Sequence, residues 1–555
     1  MFVKRGDGRE VTKTPAAVGK TRSGPDARLK HRSLVTALTI SILALSVLLL
    51  FAMGVAGCGG GGEAQQSIMV FGTAYAANES LDPNMDQFGF TTDENVYERL
   101  VEYDALAGKM VPQLAESWDM SPDGLTWTFH LRKGVKFQDG TAFDSAAVTF
   151  SWDLGLKGSQ GYKFAAVDSI NAPDASTFVV KLKYGYPILY TVSSAPFIVS
   201  PTAVNKLGAQ AYQPGGNAGT GPYMLKAVNT TVESTMVRNP TYWGGWTGDR
   251  AKAPDVAIVR SITEAAVRVQ NLEQGVIQLM YPTPDSDVKR IEGTGKYKVY
   301  VVNAADQIAA LLNCQLAPTD DVNFRKALYY AMPFQEIVDL ACSGYAIPQS
   351  GFIAPPQYGY DKQTQQMGLN KQDMAKAKEY LAKSKYPNGG VTVDCVTDNA
   401  YAQGMKAMEL YKTALAELNI TLNVQPLDIG VIFQDAMSDK PTHNIVAISE
   451  PGLVEGVGTL EMCLGAESAY NFDEWTDPQI DKIISDGYAA MSIDKDKAVD
   501  MLIQADQIVM DQMPLILICN TKSLPGASIN LKGFQGFTDY TFMNPHFYNY
   551  WMEKQ

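Results

Sequence analysis

The sequence predicts an α/β fold spread over two or three domains, and three observations predict it. First, 555 residues with 46% hydrophobic and 19% charged side chains make an ordinary globular composition, but a chain too long for one core. Second, Leu125, Trp127, Phe129 and Leu131 alternate with Thr126, Thr128, His130 and Arg132, the period of two of a strand buried on one face. Third, a strand pattern over 391–396, a helical pattern over 402–418 and a further strand pattern over 420–425 make strand, helix and strand within about 35 residues. That is the spacing of a right-handed parallel crossover unit.

The N-terminus is different from the rest. Residues 1–33 are basic and poor in apolar side chains, and 34–56 are apolar and free of charge. The run ends in Gly54-Val55-Ala56-Gly57-Cys58, which resembles a bacterial lipobox, with small residues before a cysteine that becomes lipidated and first in the mature chain. A retained transmembrane helix is the competing reading, since the run is long enough to span a bilayer. Either way the basic leader stays inside and the body outside the cytoplasm. Gly59 to Gly62 then read as a flexible tether.

The formal charge is -13, and residues 1–57 hold nine Lys/Arg against three acidic residues, so the remainder carries -19. An acidic body argues against nucleic acid, because phosphate binding needs a basic face. The six cysteines, Cys58, Cys314, Cys342, Cys395, Cys463 and Cys519, include no C-x-x-C pair, and the four histidines are scattered, so neither a metal nor a cofactor is expected. With Cys58 set aside, five cysteines are left, and their pairing stays open. No nucleophile elbow, zinc-protease or phosphate-loop motif occurs, so no enzyme is expected.

Along the body, a strand over 67–74 leads into Tyr75, Asn78 and Leu81-Asp82-Pro83, and a helix is expected over 93–100. Ser121-Pro122-Asp123-Gly124 makes a turn before the alternating strand, and Asp144 or Ser145 caps a helix carrying Val148 and Trp152. Strands follow at 178–182 and 256–262, with a helix over 264–274. In the second half Pro333 opens a helix, Asn370 caps a helix over 371–384, and a helix over 494–513 stops at Pro514.

The order of residues adds a resemblance. Pro112 to Trp118, then Ser121 to Gly124, Thr126 to Phe129, Leu131-Arg132, Gly134 to Phe137 and Asp139-Gly140, resemble the signature of the family 5 extracellular solute-binding proteins of bacterial ABC importers. That family includes the oligopeptide-, dipeptide- and nickel-binding proteins. Gly219-Thr220-Gly221-Pro222-Tyr223, Arg238 to Trp243, and Asp477-Pro478 with Asp481 are similar to its later motifs. The resemblance implies an α/β two-lobe periplasmic-binding-protein-like fold of type II. It is the large form, with an extra α/β subdomain and hinge-linked lobes around a cleft. Leader and lipobox would then occupy 1–57 and the tether 58–66. Lobe I would comprise 67–110, 219–304 and 515–555, the extra subdomain 111–218, and lobe II 305–514.

It further implies a monomeric, membrane-anchored protein on the extracytoplasmic face, lipidated at Cys58. Such a protein captures a small solute, a peptide first of all, between its lobes and delivers it to the permease subunits. A carrier of a sugar or metal chelate, or a sensory or adhesion lipoprotein of the same fold, is the alternative. By the same resemblance Tyr75 and Asn78 lie near the ligand, with an ordinary surface turn as the other reading; Phe88 and Thr220 are further candidates. Peptide-binding members carry an aspartate in W-x-x-D-Y-x-D-P for the peptide amine. Here 448–461 has no aspartate or tryptophan, and Glu450, Glu455 or Glu461 would supply the charge. Asn471 and Trp475 stand where the family lines its cleft, and Trp475 reads equally as a stacking platform or as core.

Overall fold

The computed structural model describes residues 66–555 except 76, 78–80, 86–89, 105, 159–160, 439, 451–452, 454, 538–544 and 554–555. The leader, Cys58, the tether to residue 65, Asn78 and Phe88 therefore lie outside the described residues, as does the Glu450 side chain. Among the described residues no helix is long and apolar enough to cross a membrane.

The chain opens with β1 (Ile68–Thr73), buried after its first residue, and the short helix α1 (Phe90–Val96). The helix expected over 93–100 stops at Val96, because the Val96 carbonyl accepts from Gly221 N at 2.9 Å instead of continuing the helix. Next come β2 (Ala115–Met120) and β3 (Thr126–Leu131), joined by the predicted turn: Gly124 N donates to Ser121 O at 2.8 Å, with Gly124 at φ +72°. Helix α2 (Ser145–Lys157) is capped by Asp144, whose carboxylate accepts from Ala146 N and Ala147 N at 3.0 and 3.1 Å. It lays Trp152 between Phe164 and Phe178. Strands β4 (Val167–Asp174) and β5 (Thr177–Leu182) complete a four-stranded sheet of order β2-β3-β5-β4, and α3 (Ile188–Ser194) follows.

The chain then builds β6 (Tyr223–Asn229), β7 (Glu233–Arg238), β8 (Val256–Ser261), β9 (Leu279–Tyr281) and β10 (Tyr297–Val299) beside β1. β1 is flanked by β8 and β9, both parallel to it. Two residues on, β11 (Val302–Leu312) enters a second sheet. There β12 (Ala346–Pro348), β13 (Val391–Asp398), β14 (Ile420–Leu427) and β15 (Ile445–Glu450) assemble with helices α4 (Met374–Lys383), α5 (Ala402–Ala416), α6 (Ile429–Ala436) and α7 (Gly456–Leu464). Asp373, not Asn370, caps α4, accepting from Lys376 N at 3.0 Å. The amide of Asn370 is committed elsewhere, to Tyr329 Oη and Leu517 O, both at 2.8 Å.

After α8 (Pro478–Ile493) and α9 (Lys495–Gln512), β16 (Leu515–Ser523) returns along β11, and β17 (Gly526–Ser528) rejoins the first sheet. That sheet has the order β10-β17-β9-β1-β8-β7-β6 and the second β12-β16-β11-β15-β13-β14. The two sheets are the cores of two lobes. They are joined by a pair of two-residue connectors, 300–301 and 524–525, which lie side by side: Tyr300 N donates to Pro525 O at 2.9 Å. Short paired connectors of this kind are where a hinge can bend with little else disturbed. The C-terminal Phe547 and Tyr550 pack into the core of the first lobe.

Candidate functional site

The second sheet fixes where a ligand can sit. β13 runs parallel to both β14 and β15, so their carboxyl ends share one edge, and α5, α6 and α7 begin there. Open α/β sheets bind ligands outside the carboxyl ends of such strands. β11 runs antiparallel to β15 and pairs Gln307 with Glu450, so the start of β11, next to the hinge, reaches the same edge.

Asp306 stands at that point, the one carboxylate on the strand, followed by Gln307 and then only isoleucine, alanine and leucine. Three tyrosines surround it electrostatically, and they come from both lobes. Tyr75 follows β1, its ring 6.1 Å from that of Tyr281 at the end of β9, and Tyr401 precedes α5. Half of Tyr75 is open to solvent, yet its hydroxyl is pushed up to about 12, by burial first, then by Asp306, with Arg268 pulling the other way. Burial also raises the Tyr401 and Tyr281 hydroxyls, and Asp306 adds to both; Tyr401 is hydrogen-bonded with Ser449 and Tyr281 with Ser523. Arg268 is buried behind Tyr75 and donates to the carbonyls of Pro282, Ile262 and Thr263.

A second cluster lies where the four-stranded subdomain meets the second lobe. Glu455, at the start of α7, is 7% exposed and pushed up to about 8, first by burial and then by Glu461 one turn and a half along. Tyr488 donates to Glu461 and holds its ring 4.9 Å from Tyr186 of the subdomain. Tyr190 on α3 feels the Glu455 charge and touches Tyr103 at 5.8 Å between ring centroids. The fit is close. A Cβ on Gly185 would come within 2.7 Å of the Ala489 backbone.

The remaining candidates fall elsewhere. Thr220 is fully buried beside Glu98, between Gly219 and Gly221, which press on the Val96 carbonyl. Asn471 donates to Trp475 O at 2.8 Å in the loop after α7, and Cys314 N donates to Asp473 O at 2.8 Å, so this loop meets the far end of β11. Six residues of strand, about 20 Å, separate that end from Asp306. The structure thus brings Tyr75 to one end of the interlobe space and Glu455 to another, and places Thr220, Asn471 and Trp475 outside both clusters.

Sequence reasoning missed Asp306, Tyr401 and the tyrosines 186, 190 and 488. A lone carboxylate, beside Gln307, in the otherwise apolar stretch 304–312 was the signal for the first; the tyrosines carry none that separates them from core residues. Among the described residues no three His, Cys, Asp or Glu side chains gather as a metal site.

Comparison with known proteins finds similarity along most of the chain. Residues 109–448, more than half of the chain, match the model for the middle region of the bacterial extracellular solute-binding proteins, family 5. The glutathione-binding protein GsiB of Escherichia coli O6:K15:H31 is 26% identical over 523 residues, covering 92% of this chain and 97% of that protein. Two solved structures superpose over 88% of this chain. The periplasmic binding protein DppA from Helicobacter pylori, in complex with the peptide STSA, does so with a TM-score of 0.71, 22% identity and 99% of its own chain. The substrate-binding protein CtaP from Listeria monocytogenes does so with 0.78, 18% and 100%.

Proposed function

The chain belongs to the bacterial extracellular solute-binding proteins of family 5, and on that premise we propose that it captures a short peptide between its two lobes and hands it to the permease of an ABC importer. The observation that carries the reading is that Tyr75 and Tyr281 of one lobe and Tyr401 of the other all lie within electrostatic reach of Asp306. A ligand held there touches both lobes, and such differential contact is what shifts a hinge toward closure. Its chemistry is set by the residues: tyrosine faces and hydroxyls for an apolar and amide-rich body, and a carboxylate, Asp306, for a free amine. The resemblance to glutathione-binding relatives favours a tripeptide-sized solute.

The lipid anchor belongs to the same reading. Cys58 becomes the lipidated first residue, which tethers a monomer to the outer face of the membrane through the glycine run 59–62. One measurement tests the ligand: thermal unfolding with di- to tetrapeptides, glutathione, sugars and nickel-histidine complexes. A peptide at one hundred times its Kd adds about 2.7 kcal/mol and raises Tm. A shift with a sugar or nickel complex and none with any peptide sinks the peptide reading. The anchor is tested by Cys58→Ser, which releases the protein from the membrane fraction.

A further inference from the structure

Of the cysteines in the described residues, Cys314 is half-buried and Cys342, Cys395, Cys463 and Cys519 are buried. Two of them meet. Cys342 closes the helical turn over Ile337–Ala341, and after Gly344 the chain becomes β12, which pairs antiparallel with β16 so that Pro348 faces Cys519. Two hydrogen bonds draw the turn onto that strand: Tyr345 N to Cys342 O at 2.7 Å and Lys522 N to Tyr345 O at 2.9 Å.

Cys519 is aimed at the turn by an irregularity. On β16, Leu515 and Leu517 enter one core of the second lobe, and Ile516 and Ile518 the other. Strict alternation would send Cys519 with the leucines. A register shift opposite Ile308 and Ala309 interrupts the alternation, and Cys519 joins the isoleucines and Cys342 in the same core. The Cys519 thiol is held well above the usual thiol range first by its hydrogen bond with Cys342 and then by burial. The other buried thiol of that core, Cys395, lies on β13 and is oriented to the Val396 carbonyl.

We propose that Cys342 and Cys519 form a disulfide in the exported protein. The bond ties the return strand of the hinge to the turn behind Tyr401, whose hydroxyl senses both thiols. Both thiols lose a proton and together two electrons, one sulfur–sulfur bond forms, and a protein or small-molecule disulfide of the cell envelope is reduced to two thiols in exchange. Compartments outside the cytoplasm permit this, and both sulfurs are then shielded from later reduction. The proposal needs export but no particular ligand, so it stands or falls apart from the peptide reading.

The test uses the full chain, exported and then unfolded in a thiol-alkylating reagent without reductant. After proteolysis, mass spectrometry follows the peptides holding residues 342 and 519. The expected product is one cross-linked species two hydrogens lighter than the sum of the two peptides, with Cys314, Cys395 and Cys463 alkylated. Prior reduction yields both peptides alkylated and lowers Tm by about 5 °C. Alkylation of Cys342 and Cys519 without reductant, or a link from either to another cysteine or a small thiol, overturns the proposal.

Discussion

Tyr186 of the subdomain and Tyr488 of the second lobe hold their rings 4.9 Å apart at 41°, and this pair is one of the places where the two bodies touch away from the hinge. Beside it Gly185 sits against Ala489 with no room for a side chain. Because a Cβ there meets backbone at 2.7 Å, Gly185→Val forces the bodies apart rather than repacking a flexible neighbour. The expected outcome is a ligand affinity about tenfold weaker, since the closed state now costs more to populate, with the ligand-free Tm within about 2 °C of the original. Calorimetric titration checks it; unchanged affinity would show that closure does not use this contact.

Glu455 gives a pH dependence with a definite sign. Its pKa rises from the ordinary 4.5 to about 8 on folding, by burial and by Glu461. The folded state therefore holds a proton that the unfolded state has lost, so this stability is fully present below about 4.5 and lost as pH rises through about 8. Glu455→Gln keeps the shape without the charge. It should match the parent at pH 5 and exceed it at pH 8.5, where the parent has deprotonated, by about 1–3 kcal/mol. Chemical denaturation at the two pH values decides; an equal difference at both refutes the assignment.

The same reasoning explains what was legible in the sequence. The hairpin at 115–131, the Asp144 cap and the parallel unit β13-α5-β14 depend on neighbours in the chain, and local pattern reports those well. Asn370 and Val96 failed for the opposite reason: a distant partner, Leu517 in one case and Gly221 in the other, claimed the group that local rules had assigned to a cap or a helix turn. The site is distant by construction. Tyr75, Tyr281, Asp306 and Tyr401 come together from 75 to 401, and no spacing rule links them.

Glu98 tests the buried network of the first lobe. It is 2% exposed and accepts from Trp243 Nε1 at 2.7 Å and Tyr242 Oη at 3.0 Å, while burial pushes it up to about 7 against those bonds. Trp243 is thus half a packing residue and half a donor. Trp243→Phe keeps most of the packing and removes the donor, leaving a buried carboxylate under-satisfied. The expected loss is about 2 kcal/mol, measured by urea unfolding at pH 8. A loss that vanishes at pH 5, where Glu98 is protonated in the variant, marks the missing hydrogen bond to the charge; a loss equal at both pH values assigns it to packing instead.

Asp306 carries the sharpest consequence of the proposed function. Its carboxylate lies on the hinge strand and acts on Tyr75, Tyr281 and Tyr401 together. If it receives the free amine of a peptide, Asp306→Asn replaces a charge-assisted hydrogen bond with a neutral one of the same size. Bonds to charged groups contribute about 1.5–3 kcal/mol, so affinity for an unmodified peptide should fall at least tenfold. An N-acetylated peptide, which has no positive charge to lose, should bind parent and variant alike. The two ligands separate recognition from damage: a variant whose hinge is merely disturbed weakens both by the same factor. Equal losses for the free and acetylated peptides would move amine recognition away from Asp306.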